Sequence, residues 1–142
     1  MGLVPPPKLG PGMAGGLAVG AGLFVLLAGD RPRVPNRPAP ILVARAAYLV
    51  GAAGFEELLW RGLALGLSSH WLGPVAALGL TSVAFGLWHR RSLGRRWAVH
   101  TATGLGFGVA FLWGGLGASI LTHALYNVLV DLSVQAECGR AP

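Results

Sequence analysis

Residues 41–67 read ILVARAAYLVGAAGFEELLWRGLALGL, and this stretch decides the fold. At about 1.5 Å per residue it makes a helix long enough to cross the roughly 30 Å hydrocarbon core of a bilayer. Near its centre sit Glu56, Glu57 and Arg61. An ionisable group at that depth costs about 2.5–3.5 kcal/mol on insertion scales, so a membrane helix keeps several only where protein or water receives them. The stretch therefore predicts an embedded helix and, inside the protein, a polar site.

Composition points the same way. Of 142 residues, 54% are hydrophobic and 11% charged, where a soluble domain carries about 25% charged residues. The mean hydropathy is +0.61. Five acidic residues against eleven Lys and Arg give a net charge of +6. The arginines gather at Arg31, Arg33 and Arg37 and again at Arg90, Arg91, Arg95 and Arg96, between apolar segments. That is the pattern of cytoplasmic loops facing anionic lipid, and it argues against a nucleic-acid partner. The single cysteine, Cys138, excludes an internal disulfide and a multi-Cys metal site, and no lipid anchor is expected at either end.

The expected fold class is all-α: a single polytopic membrane domain of about five transmembrane helices. Residues 1–11, rich in Pro and Gly, read as an irregular tail. Apolar segments at 12–29, 41–67, 71–89, 98–113 and 116–132 read as the five spans. Pro- and Arg-rich residues 30–40 form a loop, Ser68 to His70 a turn, residues 90–96 a second basic loop, and Gly114–Gly115 a tight turn. The first segment reads as a span in preference to a signal peptide, because Lys8 alone precedes it while three arginines follow. The arginine asymmetry places the N-terminus outside and the C-terminus inside. Glycines four apart, among them Gly16 and Gly20, suit close helix approach within one molecule more than dimerisation.

The polar residues fall into three groups. Glu57 and Arg61, four apart and acid first, share a helix face and can pair. Glu56 is rotated about 100° from Glu57 and faces a different partner. Phe85 and His89 share a face at the end of the third span. His123, Asn127 and Asp131 make a polar stripe at i, i+4 and i+8 on the fifth span, which in lipid must face protein or water. A structural ion-pair cluster or hydrogen-bond ladder would explain each group separately. Taken together, a cavity gathering Glu56, His89, His123 and Asn127 holds a carboxylate to take a proton from water and donors for a developing oxyanion, enough for amide hydrolysis. Whether His100, on the fourth span, joins that cavity is open; near Arg95 and Arg96 it reads more as an interfacial residue.

In order and on separate apolar segments, Glu56-Glu57-x-x-x-Arg61, Phe85-x-x-x-His89 and His123-x-x-x-Asn127 resemble the three motifs of the CPBP family. These are glutamic intramembrane proteases that include CAAX prenyl endopeptidases and the bacteriocin-processing and self-immunity proteins of the Abi group. The resemblance spans residues 41–132. It implies an all-helical membrane fold with its site in a cavity between helices. It also implies Glu56 as principal catalytic glutamate, with Glu57 and Arg61 supporting it. His89 would then act on water, with His123 and Asn127 at the oxyanion. The family is regarded as metal-independent, so no cofactor is expected; zinc on Glu56, His89 and His123 is the lesser alternative. The expected partners are the lipid bilayer and a membrane-anchored protein or peptide substrate, in a bacterial cell membrane. The chain is shorter than prenyl-processing members, which favours a bacterial substrate over a prenylated one. A non-catalytic immunity or partner-binding protein of the same family is the alternative function.

Overall fold

The computed structural model describes residues 9–28, 35, 37–93 and 97–138. Much of the first basic loop and residues 94–96 of the second, including Arg31, Arg33, Arg95 and Arg96, lie outside the described residues, whereas residues 90–93, expected in the second loop, are the end of a helix. The described chain is all-helical: α1 Leu9–Ala28, α2 Ala39–Glu57, a π-helical segment Leu58–Leu65, α3 Gly66–Leu72, α4 Pro74–Leu93 and α5 Trp97–Cys138.

Local chemistry sets these limits. Pro38 precedes α2 and Pro40 lies in its first turn, where a missing N–H costs nothing. The turn expected at Ser68–His70 is instead helical. The Ser68 and Ser69 hydroxyls donate back to the Ala64 and Leu65 carbonyls, each at 2.6 Å, which keeps both serines in the helix. The break falls at Gly73, with φ 76° and ψ 160°, a conformation almost confined to glycine, and Pro74 then opens α4. Gly115 (φ 75°, ψ −171°) breaks α5 in the same manner. It folds the two limbs, 97–114 and 116–138, back on each other. Ser119 Oγ lies 2.8 Å from the Phe107 carbonyl oxygen, atoms that an unbroken helix would hold about 18 Å apart.

The two limbs of α5 together form the centre of the bundle. α1 packs along α5, and α2 and α4 also lie against it. Gly12, Gly16 and Gly20 of α1 meet Gly114, Ala118 and Thr122, so two stripes with the same four-residue step run side by side. A Cβ on Gly16 would stand 2.8 Å from the Ala118 carbonyl oxygen, and one on Gly20 2.7 Å from that of Thr122. Thr122 Oγ1 reinforces the contact with a 2.8 Å bond to the Gly16 carbonyl. The glycine spacing thus serves packing within the molecule. Gly16→Val should lower stability by about 1–3 kcal/mol, since backbone cannot yield as a flexible side chain does. Gly22→Ala, with nothing within 4 Å of the new methyl, should be neutral or slightly stabilising. Midpoints of SDS-induced unfolding in mixed micelles check both.

Burial is inverted relative to a soluble protein. A small aromatic cluster of Phe24, Phe85, Phe107 and Tyr126 occupies the middle. Around it Glu57, Arg61, Thr81, Ser82, Thr103, Ser119, Thr122, His123 and Ser133 are buried. Large apolar side chains point outward, with Leu26 79% and Trp71 88% exposed. Apolar surface on this scale is stable only against another apolar phase. Among the described residues, Trp97–Ala136 is the one stretch long and apolar enough to cross a membrane by length and composition, and Pro11–Leu27 is a shorter apolar helix.

Candidate active site

The site is built in two tiers around the adjacent glutamates. Glu57, fully buried, is the inner one. Its Oε2 lies 3.2 Å from Arg61 Nε and accepts a short hydrogen bond from Ser119 Oγ. Its Oε1 accepts from His123 Nδ1 at 2.8 Å. Arg61 spends its other arm on the Gly104 carbonyl, at 2.7 Å, and its guanidinium carbon lies 4.9 Å from the centre of the Phe85 ring. Each carboxylate oxygen of Glu57 is therefore occupied, and the fork of Arg61 joins the π-helical segment to both α5 and α4. Such π-helical turns are rare and concentrate at functional sites.

Glu56 is the outer glutamate, with 36% of its side chain exposed. His89 Nε2 and His123 Nε2 stand 3.8 and 4.0 Å from its Oε2. The tautomers follow from the partners on the far side of each ring. His89 Nδ1 lies 2.9 Å from the Phe85 carbonyl, which can only accept, and His123 Nδ1 faces the Glu57 carboxylate. Each Nδ1 thus carries hydrogen, and in the neutral ring each Nε2 presents a lone pair toward Glu56.

These groups line a cavity of about 350 Å³, together with Asn127, His100, Thr103 and Phe107; Leu49, Val130 and Val134 supply apolar wall. Glu56, His89, His123 and Asn127, expected to share one cavity, do so. Glu57 and Arg61 lie behind it as a buried pair. Asp131, expected to continue the polar stripe, is held by Arg45 of α2, whose Nε and Nη2 reach its carboxylate at 2.6–2.8 Å. Gln135 Nε2 donates to the same carboxylate at 2.5 Å. Among the described residues no three of His, Cys, Asp and Glu are spaced to hold a metal ion.

Ser119 and Arg45 escape the sequence reading, though each had a signal. Ser119 lies four residues before His123, so the stripe is Ser119, His123, Asn127 and Asp131. Arg45 precedes Glu56 by eleven residues, three helical turns, and so shares its face. His100 is not a purely interfacial residue as its arginine neighbours suggest. With Thr103 and Phe107 it forms an i, i+3, i+7 face that lines the cavity.

Apolar helices turned outward around a buried acid–base cluster define a helical membrane protein with a polar interior site. Residues 38–129 match the family described as Type II CAAX prenyl endopeptidase Rce1-like. The match covers well over half of the chain, and the chain belongs to this family of membrane proteases, within the wider CPBP group. No curated protein and no solved structure matches the chain. The matched region includes all the residues of the two tiers; α1 precedes it.

Proposed function

We propose that the chain is an intramembrane glutamic endopeptidase that hydrolyses a peptide bond of a membrane-anchored protein or peptide. The observation that carries this reading is the convergence of His89 Nε2 and His123 Nε2 on Glu56 Oε2, at 3.8 and 4.0 Å, on the wall of one cavity. Those separations are too long for direct hydrogen bonds and suit a water molecule held among the three groups.

Glu56 takes one proton from that water as its oxygen attacks the carbonyl carbon, and His89 Nε2 accepts a hydrogen bond from the O–H that stays on the oxygen and so orients the attack. The carbonyl π electrons move onto oxygen. In its imidazolium form His123, anchored through Nδ1 on Glu57, donates from Nε2 to this oxyanion, and the Asn127 amide donates beside it. When the C–N bond breaks, Glu56 passes its proton to the departing nitrogen, leaving a carboxylic acid and an amine. No metal takes part in this scheme. The chain is one membrane domain crossing five times, N-terminus outside and C-terminus inside, in a bacterial cell membrane.

The test uses the purified protein in liposomes with two quenched fluorescent peptides, one ending in a farnesylated CAAX sequence and one anchored by an apolar helix. Wild type should cleave at least one peptide and be indifferent to chelator. His123→Ala should lose about 10²–10³-fold in kcat. Cleavage abolished by chelator would turn Glu56, His89 and His123 into metal ligands. Failure to cleave either peptide would favour an immunity or partner-binding role.

A further inference from the structure

The cavity's two imidazoles are seated alike. His123 lies flat on Phe107, with ring centres 4.3 Å apart and planes at 17°. His89 lies flat on His100, at 4.7 Å and 16°. Both platform rings come from the first limb of α5 and stand seven residues, two turns, apart on its cavity face. This limb therefore carries one ring beneath each histidine that faces Glu56.

His89 rests on such a platform. Its Nδ1 bonds to the Phe85 carbonyl, one turn back on its own helix. A histidine's χ2 torsion is broad and two-fold, so rings packed against its faces fix the plane in which Nε2 points. Phe85 and His100 are two such rings. The Phe85–His89, His89–His100 and Phe85–His100 centroid separations of 4.5, 4.7 and 6.5 Å describe a triangle with its right angle at His89. Two rings thus bear on His89 from perpendicular directions, and with Nδ1 on the carbonyl its Nε2 is left turned to Glu56.

The geometry points to His100 as a positioning residue for His89: it acts through the flat face of its ring, as Phe107 does for His123. This inference rests on the protease reading for its kinetic arm alone. What α5 supplies at position 100 for this purpose is a planar ring of that size.

The test compares wild type, His100→Ala and His100→Phe. In the liposome assay His100→Ala should lower kcat about 10- to 100-fold, as misplacement of a reacting group does. KM should stay within a factor of about two, because His100 acts through His89 and not on substrate. His100→Phe should recover most of kcat. Histidine ¹⁵N spectra in micelles read the same effect without substrate: His89 should show the Nδ1–H tautomer in wild type and His100→Phe, and mixed tautomers in His100→Ala. Wild-type kcat or an unchanged His89 spectrum in His100→Ala would overturn the inference. So would a His100→Phe variant as impaired as His100→Ala, since proton transfer by His100 itself would then be required. If wild type cleaves neither peptide, the protease reading fails while the spectra still decide the role of His100.

Discussion

Glu56→Gln should lower peptide cleavage about 10²- to 10⁴-fold, the contribution expected of a general base, while leaving the unfolding midpoint of the protein unchanged. The amide is isosteric with the carboxylate but cannot take a proton from water. Little structure depends on the charge. Glu56 is 36% exposed, and its nearest ionic neighbours are the two imidazoles at 3.8 and 4.0 Å. The pairing of lost turnover with retained stability is the informative result, and cleavage rates beside SDS unfolding curves would show it. Glu56→Gln cleaving at the wild-type rate would remove the proposed mechanism.

Arg61→Ala should have the opposite profile, with stability failing first. Glu57 has no solvent exposure, and the substitution removes the cation 3.2 Å from it together with the donor to the Gly104 carbonyl. Breaking a buried pair by removing one partner costs about 3–5 kcal/mol, because the other charge is left in a poor medium for it. That is a large part of the 5–15 kcal/mol by which a typical domain is stable, so sharply reduced accumulation in membranes is the expected outcome. Arg61→Lys should fall between, since one ammonium cannot reproduce a fork that reaches Glu57 and Gly104 at once. Glu57→Gln combined with Arg61→Met should recover much of the lost stability, as the pair is then replaced and not halved. Thermal unfolding of the four proteins in micelles tests the series. A fully stable Arg61→Ala would mean that Ser119 and His123 suffice for Glu57.

The contrast between neighbouring glutamates was legible from the sequence in outline. The four-residue step from Glu57 to Arg61 pairs them on any helix, and the 100° rotation sends Glu56 elsewhere. The all-helical class was equally legible, from apolar runs broken by Pro, Gly and Arg. What composition hides is distance along the chain. Nothing in the order of residues joins Arg45 to Asp131 or Ser119 to Glu57, because those contacts exist only once Gly115 has turned the last limb back. The π-helical stretch left no signal in Leu58–Leu65, whose leucines suit either helix. The turn placed at Ser68–His70 belongs at Gly73. Serine satisfies its hydroxyl within a helix, whereas the backbone angles at Gly73 exclude nearly every other residue.

The same sequence separations bear on how the protein is made. Glu57 and Arg61 leave the ribosome together, but Ser119 and His123 follow 62 and 66 residues later. At roughly 5–20 residues per second, that interval is on the order of 3–13 s. Throughout it the carboxylate enters the bilayer with its helical neighbour as sole protein counter-charge among its eventual partners. The arginine is thus an insertion partner for the nascent chain before it is a brace for the finished one. The histidine that completes the cluster arrives with the second limb of α5, so the site cannot assemble until that limb has been made.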